Sequence, residues 1–217
     1  MMIWNVRTTT TATLLFATLT CLAVLPSRVL ADAFDTKIVN PPAAELVAAL
    51  QKGGHIIYFR HAHTPNMTDK DISNLDNCLL QRNLDEEGRA QMRAVGDAFK
   101  RLKIPVGEVL ASPYCRTMET ARLAFGRVEK SAYLYSTGEP EQDEQKARTK
   151  LLSERLSTPP PPGKNIILVS HGSPLDSAAG EFLREGEAAI ARPTGDGKVK
   201  VIARVQAEAW AGFPDSR

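Results

Sequence analysis

The order of segments in this chain predicts an α/β fold, a three-layer sandwich in which a central, mainly parallel sheet is flanked by helices. Three observations point there. Short apolar, β-rich runs alternate with stretches whose apolar residues recur at helical spacing. The runs at 55–59 and 165–170 are almost wholly apolar, as strands covered on both faces require. No internal repeat is present, and 217 residues suit one domain behind a short leader.

Residues 1–31 read as that leader, an export signal. Arg7 supplies a positive start, Ala12 to Leu25 form an apolar stretch thinned by threonines, and Val29-Leu30-Ala31 ends in a cleavage pattern before Asp32. The stretch is shorter than the roughly 18 apolar residues of a membrane anchor. Cys21 follows Thr20, too large a residue for the usual lipoprotein processing site. Residues 32–217 are then the mature domain, expected in the periplasm or outside the cell.

After Pro41-Pro42, Ala43 to Gln51 carries alanine, leucine and valine at helical spacing, and Gly53-Gly54 stops it. His55 to Phe59 is a buried-type strand. Residues 60–84 are polar and form a long loop. Asp85 caps a helix running to about Leu102, with Met92, Val95, Ala98 and Phe99 on its apolar stripe. Val106 to Ala111 is a second strand, and Tyr114 to Phe125 a second amphipathic helix closed by Gly126. Ala132 to Tyr135 reads as a short strand, and the acidic residues 136–149 as a polar lead into a helix around Lys150 to Leu156. Pro159 to Pro162 is a rigid spacer before the strand Asn165 to Ser170. A helix from about Leu175 to Leu183 and a hairpin over Ala189–Arg204, turning at Gly195-Asp196-Gly197, complete the chain.

Composition narrows the partners. Hydrophobic residues at 43% and charged residues at 24% exclude a disordered or multi-span membrane class. The net charge of +2 comes from Arg7 and Arg28, so acids and bases balance in the mature domain. Such a domain has no general attraction for nucleic acid or an anionic bilayer, and no stable membrane insertion is expected after cleavage. Any anion must be held by a local cluster.

That cluster is expected where strands end. The first strand runs into Arg60-His61-Ala62-His63-Thr64, the second into Ser112-Pro113-Tyr114-Cys115-Arg116, the third into Ser170-His171-Gly172. In open α/β sheets the carboxyl ends of strands line one crevice. Two arginines suited to phosphate oxygens would then face two or three histidines, beside a helix N-terminus. Cys78 and Cys115 form an even pair in a chain bound for an oxidising compartment, either bridged or as two buried thiols.

The same residues carry a resemblance. Arg60-His61-Ala62 resembles the Arg-His-Gly signature of the histidine phosphatase superfamily, in its phosphoglycerate mutase-like branch 1. Ser112-Pro113 with Arg116, Thr120 and Ala121 resembles its second motif, and Ser170-His171-Gly172 the strand carrying its second histidine. Leu84, Gly88 and Gln91 look like its intervening helix. The likeness spans roughly residues 53–205, with the motifs in order.

The resemblance implies catalysis by His61, Arg60, Arg116 and His171. His61 would attack phosphorus as a neutral imidazole, its other nitrogen donating to a backbone carbonyl, and form a phosphohistidine that water hydrolyses. Arg60, Arg116 and a protonated His171 would bind the phosphate oxygens. Neither metal nor cofactor is implied, and no metal-ligand spacing stands out. Two departures matter. Ala62 replaces glycine, and Gly172 follows His171 where another branch places an acid. The acid that should protonate an alkyl leaving group falls among Glu139, Glu141, Asp143 and Glu144, or is absent, which would favour acyl, phosphoramidate or aryl phosphates. His63 is read as a rim residue or a substrate contact, and Arg82 as a surface residue within reach of the pocket. The expected partner is a small phosphorylated substrate or a phosphorylated envelope component. The alternatives are a mutase-type phosphotransferase and a non-catalytic phosphate- or phosphosugar-binding protein. Neither substrate nor oligomeric state follows from the sequence.

Overall fold

In the computed structural model the described residues are 40–136 and 142–215. The expected export signal at 1–31, with Arg7, Cys21 and Arg28, lies outside them, as do Glu139 and Glu141. Helix α1 spans Ala43–Lys52, and Gly53, in a left-handed backbone conformation at φ 76°, ends it. Strand β1 follows at Ile56–Arg60, then the long loop, interrupted by a 3-10 turn at Cys78–Leu80. Helix α2 covers Glu86–Arg101, β2 Val106–Ala111 and α3 Cys115–Phe125. After a two-residue strand β3 at Glu129–Lys130 come α4 (Gln142–Ser157), β4 (Asn165–Ser170) and α5 (Gly172–Ala179). Strands β5 (Ala188–Pro193) and β6 (Val199–Val205) form the closing hairpin.

The strands lie in the order β3-β2-β4-β1-β5-β6. The first four are parallel, and β5 and β6 run antiparallel at one side. The three-layer, mainly parallel arrangement is therefore as expected. Alternation along the strands divides the core in two. Ile57 and Phe59 of β1, with Ile167 and Val169 of β4, face α1, α2 and α3. Ile56, Tyr58, Ile166 and Leu168 face α4 and α5. Because both faces are covered, these strands read as unbroken apolar runs.

Three local expectations are corrected. Residues Ala132–Leu134 form a 3-10 turn rather than a strand, and the edge strand lies just before them. The fourth helix begins at Gln142, eight residues ahead of the apolar pattern that predicts it, because its first turns are solvent-facing and carry no apolar stripe. The fifth helix starts at Gly172, directly after His171, and stops at Gly180 rather than running to Leu183. Beyond the hairpin, a 3-10 segment Ala207–Gly212 buries Trp210 against Phe59 and Phe99. Arg101 donates to the carbonyls of Trp210, Ala211 and Phe213, holding that segment on the end of α2. No helix among the described residues is long and apolar enough to cross a membrane.

Candidate active site

Strands β2, β4 and β1 are consecutive in the sheet and parallel, so their carboxyl ends open side by side. Backbone bonds stitch together the segments that leave those ends. The His61 N–H donates to the Ser170 carbonyl at 2.9 Å, and the Ser112 N–H to the Val169 carbonyl at 2.9 Å. The imidazoles of His61 and His171 face each other edge to plane, 5.4 Å between centroids. Arg60, Arg116 and both histidines, named from sequence, thus meet in one place.

His61 is 1% exposed. Its Nδ1 lies 2.9 Å from the carbonyl oxygen of Ala62, a bond that puts the proton on Nδ1 and leaves the Nε2 lone pair free. Burial, opposed by that bond and reinforced by the charges of Arg116, Arg60 and Arg82, holds its pKa down at about 3. The ring is therefore neutral at any ordinary pH. His171 is also buried, and burial together with Arg116 pushes its pKa well below the usual imidazole value. Burial and these charges favour the neutral ring. The Ser112 hydroxyl sits 3.2 Å from its Nε2, and Tyr58 donates its hydroxyl to the His171 carbonyl at 2.8 Å.

The second motif has a local reason. Thr120 Oγ1 donates to the Arg116 carbonyl one turn back at 2.8 Å and accepts the Ala62 N–H at 3.1 Å. One hydroxyl thereby fixes the residue after the histidine to the helix that carries the arginine. Thr117 donates to the carbonyls of Ser112 and Tyr114, shaping the entry into α3. The intervening helix supports the same segment from below. A Cβ on Gly88 would lie 2.2 Å from the His63 carbonyl, and Gln91 Oε1 accepts the His63 N–H at 3.2 Å.

Both arginines are braced by acceptors of the protein itself. Arg116 Nη1 donates to Asp69 at 3.0 Å, and its guanidinium lies 4.3 Å from the centroid of the Tyr114 ring. Arg60 donates to the Leu183 carbonyl and to Glu185, and stacks over Phe182. Glu185 also accepts from the backbone and hydroxyl of Thr64. Nε of each arginine is buried with no hydrogen-bond partner. Buried donors without partners are rare, and guanidinium donors of this kind suit oxyanion oxygens.

Arg82 does reach the site from the long loop. It is partly buried, lies 3.8 Å from Glu185, and its charge falls on both site histidines. His63 is at the rim, where its Nδ1 meets Asp85 at 2.7 Å; that bond raises its pKa. Asp85 in turn caps α2 through the Gly88 N–H. Of the acid candidates within the described residues, Asp143 pairs with Lys146 and Glu144 with Arg148, both on their own helix. Sequence reasoning missed Asp69 and Glu185, whose only local signal was acidity in polar loops. Cys78 and Cys115 form a disulfide, with Cα atoms 5.7 Å apart. Among the described residues no group of three or more His, Cys, Asp or Glu is arranged to hold a metal ion.

Residues 56–134, from β1 to the 3-10 turn after β3, match the family model described as histidine phosphatase superfamily (branch 1). Among solved structures, the mycobacterial glucosyl-3-phosphoglycerate phosphatase in complex with inorganic phosphate gives a TM-score of 0.54 at 14% identity, covering 72% of this chain and 99% of that one. The protein histidine phosphatase SixA complexed with tungstate gives 0.50 at 15% identity, covering 71% and 98%. At such identities the likeness is one of fold. No curated protein sequence matches the chain.

Proposed function

We propose that this chain, a member of the histidine phosphatase superfamily, is an exported phosphatase that hydrolyses phosphate monoesters through a phosphohistidine at His61. One observation carries the reading: a buried, neutral His61 whose Nδ1 is committed to a carbonyl, beside two arginines that each keep an unpaired Nε. Nε2 attacks phosphorus in line, the ester oxygen leaves, and water cleaves the N–P bond to release phosphate. The Nε donors of Arg60 and Arg116 take equatorial oxygens, where charge is spread in the transition state. A phosphate dianion also reverses the field at His171 and draws a proton onto it, restoring the donor expected from sequence.

The leaving group is the open end of the mechanism. Asp69 and Glu185 are the carboxylates bonded to the site arginines, and both are engaged as acceptors. Neither is placed as a proton donor. Where no carboxylate serves as the donor, substrates whose leaving group departs without protonation, such as aryl, acyl or phosphoramidate phosphates, are favoured. Export is supported by the pattern of residues 1–31 and by a disulfide of the kind that persists in oxidising compartments.

Purified protein given p-nitrophenyl phosphate should turn it over, and quenching should trap acid-labile phosphate on the protein. His61→Ala should abolish both. Turnover that survives the substitution refutes the nucleophile. Phosphate binding without any turnover by the unaltered protein would instead favour a binding protein. Cell fractionation that leaves the full-length chain in the cytoplasm would refute export.

A further inference from the structure

We infer that Asp69 is a positioning residue that aims Arg116 at phosphate, and that the Cys78–Cys115 bridge keeps it in place. The inference rests on the phosphatase reading and concerns control of the same site. Arg116 Nη1 is fixed by both oxygens of Asp69, at 3.0 and 3.3 Å, and by the Arg82 carbonyl at 3.4 Å. Its Nε is buried and free. One edge of the guanidinium is thus clamped, and the Nε keeps no acceptor of the protein's own.

The clamp belongs to the long loop, not to the sheet. Between Ala62 and Leu84 the only regular structure is the 3-10 turn at Cys78–Leu80. Asp69 Oδ1 also accepts the Arg82 N–H at 2.7 Å, and the Lys70 N–H reaches the Leu80 carbonyl at 2.8 Å. The two limbs of the loop are therefore tied together beside Asp69. Cys78, at the head of the turn, is joined covalently to Cys115, the residue before Arg116. Gln81 reinforces the link, since its Oε1 accepts the Cys115 N–H at 2.9 Å. Arginine, carboxylate, loop and disulfide close one ring.

Without the covalent link, hydrogen bonds at an exposed turn must hold a long loop against its conformational entropy. Cys78 is exposed, so a dithiol can reach the bridge. In that reaction the S–S bond breaks, the dithiol supplies two electrons and two protons, two cysteine thiols form, and the dithiol leaves as its own disulfide. The loop then loosens, Asp69 leaves Arg116, and the site loses its grip on phosphate.

The test compares oxidised and dithiothreitol-reduced protein by calorimetric titration with inorganic phosphate and by KM for p-nitrophenyl phosphate. Reduction should weaken phosphate binding and raise KM by about tenfold or more, the scale of one charge-assisted contact. A Cys78→Ser/Cys115→Ser variant should behave like the reduced protein whether or not reductant is present. Asp69→Asn should show the weakened binding already and lose most of its response to reductant. Equal affinities before and after reduction overturn the inference, as does an Asp69→Asn protein that remains fully redox-sensitive. Global unfolding on reduction, seen by circular dichroism, overturns it too, because the device is local. Failure of the oxidised protein to turn over substrate counts against the phosphatase reading instead, while the phosphate titration still decides this one.

Discussion

His61 is constrained at three atoms: its N–H by Ser170, its carbonyl by the Gly186 N–H, and its Nδ1 by Ala62. Only Nε2 is left for chemistry. Around it, Arg60 is held through both Nη groups and Arg116 through Nη1, so little reorganisation is needed when charge develops on an oxyanion. Arg116→Ala should therefore lower turnover of p-nitrophenyl phosphate by on the order of 10² or more while the protein stays folded. A near-normal rate would remove Arg116 from the site. At this scale His61, Arg60, Arg116 and His171 were legible because each abuts an apolar strand or opens a helix. Asp69 and Glu185 were not, because a charged residue in a long polar loop carries no local sign of where the loop folds back.

Helices α2 and α3 do more than cover the sheet. Through Gly88 and Gln91, α2 supports the backbone after His61, and through Thr120, α3 ties that backbone to Arg116. The two helices approach closely at Gly96, where an added Cβ would lie 2.4 Å from the Ala124 carbonyl oxygen. Gly96→Ala should force them apart and cost roughly 1–3 kcal/mol. Urea unfolding measures this, and an unchanged midpoint would show that the contact is not tight. Helices α1, α2 and α3 were predicted within a residue or two of their ends because an amphipathic stripe, a capping Asp85 and stops at Gly53 and Gly126 mark them. Helix α4 was cut short in prediction because its first turns bury no apolar side chain, so no periodicity records them.

Over the whole molecule, burial of histidine couples stability to pH. The pKa of His61 lies at about 3 in the fold, against an ordinary 6.5, first because it is buried. Between those values the unfolded chain binds a proton that the folded chain refuses. The contribution is complete above about pH 6.5 and is lost as the pH falls toward 3. Unfolding free energy should therefore drop below pH 6.5 by up to roughly 1.4 kcal/mol per pH unit from this residue, with His55 and His171 acting in the same direction. Denaturation at pH 7.5 and pH 5 should show that loss, and His61→Asn should make it smaller; an identical slope in the variant would assign the loss elsewhere. Periodicity and the residues adjoining each strand prescribe the layered α/β arrangement, the mouth of the sheet and the residues placed there. Which carboxylates brace the arginines, and that Cys78 meets Cys115, emerge only in the folded chain. Those pairings join residues far apart in the chain across a loop without regular structure, and a loop's path is set by the contacts it finds, not by a pattern it carries.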